Sequence, residues 1–258
     1  SANIAKSNFL SNMSHDIRTP MNAILGMAAI AEQYAGDPEK VINCMKKISY
    51  SSKHLLALID EILDMSRIES GKMLLENKIF SLSGMLEGIV SMFQEQFKGK
   101  KLLFNMEKRS IKHDSLIGDE FRLSRILVNI LSNAIKYTPE QGQIVFSVTE
   151  LQADKEGYAR YQFVIKDDGR GMTEEFLKTI FMPFTRMEEK EGSYTQGTGL
   201  GMAIAKSMLD LMGGSINVES TLGKGSTFTV DVELETAEEG ECRGEKKEQN
   251  GGQTKRFD

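Results

Sequence analysis

Two long helical segments separated by one tight break constrain this chain more than any other feature. From Ile4 to Gln33 apolar residues recur at helical spacing, at Leu10, Met13, Ile17, Ile24 and Ala28. Gly36-Asp37-Pro38 interrupts the pattern, with Asp37 suited to an N-cap and Pro38 to the first helical position. The second segment runs to about Ser70 and ends at Gly71, a C-cap residue. Within it Val41, Ile48, Leu55 and Ile62 repeat every seven residues, and Met45, Leu58, Ile59 and Met65 fill the neighbouring seam positions. Helices of about 30 residues each would span roughly 45 Å. A single antiparallel pair of that length leaves apolar surface uncovered. A four-helix bundle made with a second copy is therefore expected, which makes the chain a homodimer.

After Gly71 the period shortens. Strand-like runs occur at Met73–Phe80, Leu102–Glu107, Gln143–Leu151, Tyr158–Lys166, Ser215–Glu219 and Thr227–Leu234. Helical patterns separate them at Leu82–Phe97, Asp119–Tyr137, Thr173–Ile180 and Leu200–Met212. This order predicts an α+β sandwich with its helices on one face. Three regions follow: 1–71 as the helical hairpin, 72–236 as the α+β domain, and 237–258 as a Glu-, Lys- and Gly-rich linker-like tail too poor in apolar residues to fold.

Composition narrows the function classes. With 258 residues, 40% of them hydrophobic, the chain can bury a sizeable core. A net charge of −5 gives no general attraction to nucleic acid or anionic lipid, so neither is an expected partner. Cys44 and Cys242 lie in unlike contexts and suggest no disulfide framework, which points to a reducing, cytoplasmic compartment. No apolar run approaches the roughly 18 residues of a membrane span. The chain starts without Met inside a helical pattern and reads as part of a longer protein; any membrane anchor or sensor is expected before Ser1.

Candidate chemistry begins in the first helix, at Phe9-Leu-Ser-Asn-Met-Ser-His15-Asp16-Ile-Arg-Thr19-Pro20. The apolar stripe Leu10, Met13 and Ile17 leaves His15 and Asp16 facing away from it. Pro20 removes one helical N–H and crowds the carbonyl of Asp16, so a kink is expected beside His15. Neutral imidazole is a good nucleophile towards phosphorus, and an adjacent carboxylate can orient it or take up its proton. A surface histidine beside an accidental kink is the plainer reading of the pair by itself. His54 suits an ordinary bundle position or a docking face, and His113 a loop.

Four clusters follow in order. Asn129, Asn133 and Lys136, followed by Tyr137, share one face of a helix; amide oxygens can hold Mg²⁺ and the lysine can neutralise phosphate. Asp167-Asp168-Gly169-Arg170-Gly171 ends a strand, where a buried carboxylate can accept from an adenine amino group. Phe181-Met-Pro-Phe184 precedes a charged stretch, Thr185–Gln196, expected to be ordered by ligand. Gly197-Thr198-Gly199-Leu200-Gly201 opens a helix whose N–H groups can face phosphate oxygens. Each cluster alone also fits a bland role: an exposed helix face, a strand exit, a surface loop, a helix start. No Gly-x-x-x-x-Gly-Lys-[Ser/Thr] loop is present.

Taken together, the box around His15 and the four clusters resemble the catalytic core of the sensor histidine kinases, particularly the hybrid type, over residues 3–235. The resemblance implies a dimerisation and phosphoacceptor hairpin followed by a two-layer ATP-binding domain of the Bergerat (GHKL) type, closed by the Gly223-Lys-Gly225-Ser-Thr-Phe228 hairpin. It implies that His15 accepts the γ-phosphate of ATP, that Asp16 is its acid–base partner, and that Thr19 helps position water in a phosphatase reaction. It further implies that Asn133 binds Mg²⁺ and Asp167 holds adenine, with Asn129, Lys136, Tyr137, Gly169, Gly171, Thr198, Gly199, Leu200 and Gly201 completing the nucleotide site. Phosphate would pass onward to an aspartate of a response-regulator receiver domain, after a hinge movement near Ser70–Lys72. Thr185-Arg186 departs from the commonest pairing after the third cluster. Two other readings stand beside this one: an ATPase of the same nucleotide fold, and a non-catalytic dimer scaffold. The ATPases place a glutamate where Asn129 stands, a poor general base.

Overall fold

The computed structural model describes residues 2–187 and 198–237, with side chains from Asp16 onward except that of Glu69. The tail from residue 238, and residues 188–197 of the charged stretch, lie outside the described residues. The chain divides into two compact units, residues 1–73 with 182–204, and residues 74–181 with the segment from 205 onward.

The first unit contains α1 (Ala2–Gln33) and α2 (Pro38–Glu69), packed against each other along their length. The break between them forms as expected. Asp37 is the N-cap of α2, its side chain accepting from Lys40 N, and Pro38 follows at the first helical position. At the far end Gly71 adopts φ +64, and Lys72 N–H reaches back to the carbonyl of Arg67, closing α2. Pro20 lies inside α1, but the helix continues through it to Gln33, so the expected distortion does not amount to a break.

Burial divides the apolar residues of α2 into two stripes. Cys44, Leu58 and Met65 are buried, and Val41, Ile48, Leu55 and Ile62 half-buried, within the single chain. Met45 and Ile59, expected at neighbouring seam positions of a bundle, are exposed in the single chain, together with Ile42, Leu56 and Leu63. One α1 helix is too narrow to cover both stripes of α2.

The second unit is built on a seven-stranded sheet: β1 (Lys78–Ser81), β2 (Leu103–Arg109), β3 (Ser115–Gly118), β4 (Gln143–Gln152), β5 (Tyr158–Asp167), β6 (Ser215–Thr221) and β7 (Gly225–Thr236). Strand order is β1-β3-β7-β5-β4-β2, with β6 also paired to β7. All pairs are antiparallel except β2 with β4. The interleaved helices are α3 (Leu82–Gly99), α4 (Glu120–Tyr137) and α5 (Glu174–Leu177), and α6 (Gly201–Leu211) bridges the two units in sequence. The α+β sandwich is as expected.

Alternation along β5 explains the core. Ala159, Tyr161, Phe163 and Ile165 point inward, as do Ile144, Phe146 and Val148 of β4 and Phe228, Val230, Val232 and Leu234 of β7. Facing helices supply Leu123, Ile126, Leu127, Ile130, Leu131 and Ala134 from α4, and Leu86, Ile89 and Phe93 from α3. Phe97 of α3 stacks on Phe104 of β2, with ring centroids 4.3 Å apart.

Three element boundaries differ from expectation. The strand expected at Met73–Phe80 begins only at Lys78, because Leu74 is exposed and Glu76 N–H donates to the Asp119 side chain instead of to a neighbouring strand. The four residues of β3 carry too short an alternation to register in sequence. The helix expected over Thr173–Ile180 shrinks to the single turn of α5, which buries no residue and is capped by the Thr173 hydroxyl.

Candidate functional site

In the second unit the site is assembled at the C-terminal ends of α4 and β5. Asp167 is the next inward-facing residue after Ile165, and its position in that apolar row leaves it only 5% exposed. Its Oδ1 accepts the N–H of Gly169 at 2.9 Å. Burial pushes the Asp167 carboxyl above its ordinary range. The N–H groups of Gly169 and Ser226 offset this in part, while the charge of Asp168 adds to it. A buried carboxylate with so few donors of its own is suited to accept one from a ligand.

The turn after β5 is held in place from several sides. Asp168 N–H donates to the carbonyl of Gln143, and Asp168 Oδ1 accepts from Gln143 N at 2.7 Å. Gly171 has φ +64, and a Cβ there would lie 2.0 Å from the carbonyl oxygen of Thr221, so only glycine fits. Met172 N–H then donates to Ser220 Oγ.

On α4, Asn129, Asn133 and Lys136 lie on successive turns, all half-buried, with the opposite face of the helix locked in the core. Lys136 Nζ lies 4.8 Å from the centre of the Tyr137 ring, and the guanidinium carbon of Arg170 lies 4.2 Å from it. Lys136, Tyr137, Gly169 and Arg170 line an open cleft of about 460 Å³, continued by Lys100, Thr138, Pro139, Asp168 and Gly223. The cleft thus combines cations, an aromatic ring and the glycine bonded to the buried Asp167. That donor set matches a nucleotide: a flat base, an amino group and anionic phosphates. Among the described residues no cluster of three or more His, Cys, Asp or Glu could hold a metal ion. An amide oxygen such as that of Asn133 could hold a divalent ion together with phosphate oxygens and water.

The first unit contains the remaining candidates. His15 lies within α1, and its side chain is outside the described residues. Thr19, four residues on, shares its helical face and is exposed. Asp16 is bonded by Arg186 at 2.5 Å. Thr198 donates its hydroxyl hydrogen to Glu61 Oε2 at 2.6 Å and accepts the N–H of Leu200 at 3.0 Å, a turn just before α6. Leu200 is buried. Gly199 takes φ +73 with its Cβ direction blocked by the Phe184 backbone, and its carbonyl accepts the N–H of Phe184. Gly201 is the first residue of α6, and Gly197 lies outside the described residues.

Several contacts were not anticipated from sequence. Lys100, Arg170, Asp168, Arg186 and Glu61 each act on residues far away in the chain, and no local pattern marks them. Asp119 carried a signal, an acid at the start of a helical run. It caps α4 by accepting from Arg122 N, pairs with the Arg122 guanidinium, and accepts from Glu76 N at 2.8 Å.

Comparison with known proteins agrees with both parts. Residues 5–71 match the family described as His Kinase A (phospho-acceptor) domain, and residues 118–236 the family described as Histidine kinase-, DNA gyrase B-, and HSP90-like ATPase. The chain is 34% identical to the sensory/regulatory protein RpfC of Xanthomonas campestris over 92% of its own length and 32% of that protein. It is 38% identical to the circadian input-output histidine kinase CikA of Synechococcus elongatus over 91% of its length and 31% of that protein. The chain thus spans about a third of the length of these curated relatives. The crystal structure of full-length ShkA in complex with AMPPNP superposes with a TM-score of 0.64 at 28% identity, over 89% of this chain and 46% of that one.

Proposed function

Since this chain belongs to the sensor histidine kinases, we propose that it transfers the γ-phosphate of ATP to its own His15 and passes it to an aspartate of a response-regulator receiver domain. Residues 1–71 form the dimerisation and phosphoacceptor part, 72–236 the ATP-binding part, and 237–258 a linker-like tail. The observation that carries the reading is Asp167, a buried carboxylate continuing an apolar row and bonded to Gly169, which lines a cleft whose charged side chains include Lys136 and Arg170.

In this reading Asp167 accepts the adenine amino group, the Tyr137 ring and Gly169 bound the base, and Gly171 admits the close turn. Lys136 neutralises phosphate charge, and the N–H groups of Gly199 and Gly201 are further donors to phosphate. Asn133, supported by Asn129, holds Mg²⁺, which supplies charge neutralisation on the phosphates when bound. An imidazole nitrogen of His15 attacks the γ-phosphorus as the bond to the bridging oxygen breaks and ADP leaves. Asp16 takes up the proton released from the ring. Positioning and electrostatics do most of the work in such transfers. Thr19, one turn beyond His15, orients water for the reverse removal of phosphate from the partner.

No described helix is long and apolar enough to cross a membrane. A cytoplasmic site of action is part of the proposal, as is dimerisation through the uncovered stripe of α2. The ATPase alternative is disfavoured by Asn129, an amide where that chemistry needs a base.

Incubation with γ-labelled ATP and Mg²⁺ tests the reading. Acid-labile, alkali-stable label on the protein is expected, and none on His15→Gln. Free phosphate without labelled protein would mark an ATPase, and no turnover a scaffold.

A further inference from the structure

Arg170 is a cation of the cleft to which the kinase reading gives no role. Its backbone is tied on both sides. Arg170 N–H donates to the carbonyl of Tyr137 at 3.3 Å, and the carbonyl of Arg170 accepts Gly223 N–H at 2.6 Å. The residue therefore sits between the last turn of α4 and the β6–β7 hairpin. Its guanidinium lies over the Tyr137 ring, 4.2 Å from the centroid, and both side chains line the cleft. A guanidinium over an aromatic face is held by the ring quadrupole, and its planarity lets it stack where an ammonium would only point. Tyr137 is the final residue of α4, where a helix frays most readily. Arg170 supplies to that residue both a backbone tether and a side-chain contact.

We propose that Arg170 is a nucleotide-positioning residue: stacked on Tyr137, it fixes the aromatic wall of the cleft against which the adenosine part of ATP packs. This rests on the cleft being the ATP site. The charge of Arg170 then acts on the ring and not on the phosphates, so its contribution is the same for every ligand that carries the adenosine moiety. Lys136, which also approaches the ring, lies on the α4 face shared with Asn129 and Asn133, and the phosphate role falls to it.

Calorimetric titration of the whole chain with ATP, ADP and adenosine, in the presence of Mg²⁺, tests this. Arg170→Ala is expected to weaken all three ligands equally, by roughly two- to fivefold, the range of an exposed cation–π contact. The KM for ATP in autophosphorylation should rise by the same factor with kcat unchanged. In a Tyr137→Leu background the further loss from Arg170→Ala should vanish, and Arg170→Lys, which cannot stack flat on the ring, should recover only part of the wild-type affinity. Because the contact exists without nucleotide, the melting temperature of the free chain should fall by no more than about 4 °C; Arg170→Gln serves as the second variant if the alanine lowers it further. Equal affinity of wild type and both Arg170 variants overturns the proposal. So does a loss that persists in the Tyr137→Leu background, or one that grows from adenosine to ATP, which would make Arg170 a phosphate ligand. A wild-type chain that binds none of the three ligands overturns the ATP-site reading instead.

Discussion

Asp167 exposes the trade the nucleotide site makes at the scale of a single residue. Placing a carboxylate in the inward row of β5 disfavours its charged form, which is why its pKa lies above the ordinary carboxylate value. The sign of the linkage follows. Between the unfolded and the folded pKa the native state binds more protons than the unfolded chain, so stability falls as pH rises through that window and stays reduced above it. Asp167→Asn removes this penalty while keeping an oxygen for Gly169 N–H. Urea denaturation of the variant at pH 8 is expected to show stability equal to or above wild type, with a smaller loss between pH 4 and pH 8. ATP affinity of the same variant should fall roughly tenfold or more, the cost of losing a charge-assisted bond. Unchanged affinity would remove Asp167 from the site. Asp167 is also the residue whose place was easiest to read, because a period of two carries the eye from Tyr161 through Phe163 and Ile165 to it. Arg170, three residues further, was illegible as a contact: its partner Tyr137 is joined to it only by the fold.

Among the elements, α4 decides how well the site is built, since Asn129, Asn133, Lys136 and Tyr137 all ride on it. Its core face was legible from periodicity, whereas Asp119, read as the first residue of the helix, proves to be its cap. How its C-terminal end is held was not legible. Lys100, just past α3, donates its ammonium to the carbonyls of Ile135, Lys136 and Thr138 at 2.8, 3.0 and 3.0 Å. These are carbonyls at the negative end of the helix, where a cation is favourable. Nothing in the local sequence of Lys100 distinguishes it from Lys98 or Lys101. Replacing it by Met is expected to lower stability by about 1–2 kcal/mol, measured by denaturant unfolding. The same variant should raise the KM for ATP, because Lys136 and Tyr137 lie in the freed turn. A stability loss without any change in KM would show that the cap does not position the site. The short elements were the least legible for a related reason: β3 and α5 have four residues each, only two periods of a strand and barely one turn of a helix, and they exist through their neighbours.

The whole molecule returns to the two helices of the first unit. A seven-residue repeat announces that α2 has partners on more than one side, but it does not apportion residues among them. Leu58 and Met65 face the partner helix in the same chain, whereas Ile42, Met45, Leu56, Ile59 and Leu63 are exposed. At 100° per residue these five fall within an arc of about 100°, a stripe of the width a core-facing helix presents. An apolar stripe of this length calls for a partner, and in the proposed dimer a second copy would place its own α2 against it to form the four-helix bundle. Leu56→Glu with Leu63→Glu puts two carboxylates into that contact without touching the seam at Leu58 and Met65. Sedimentation equilibrium should show wild type as a dimer at micromolar concentration and the double variant as a monomer. Helical content by circular dichroism should be retained, and ATP binding in the second unit unaffected. A wild-type monomer, or a double variant that remains a dimer with unchanged affinity, would require the stripe to serve another contact. In a heterodimer of a His15→Gln chain with an Asn133→Ala chain, label on the Asn133→Ala chain would show that each nucleotide site serves the His15 of its partner, and its absence that each serves its own.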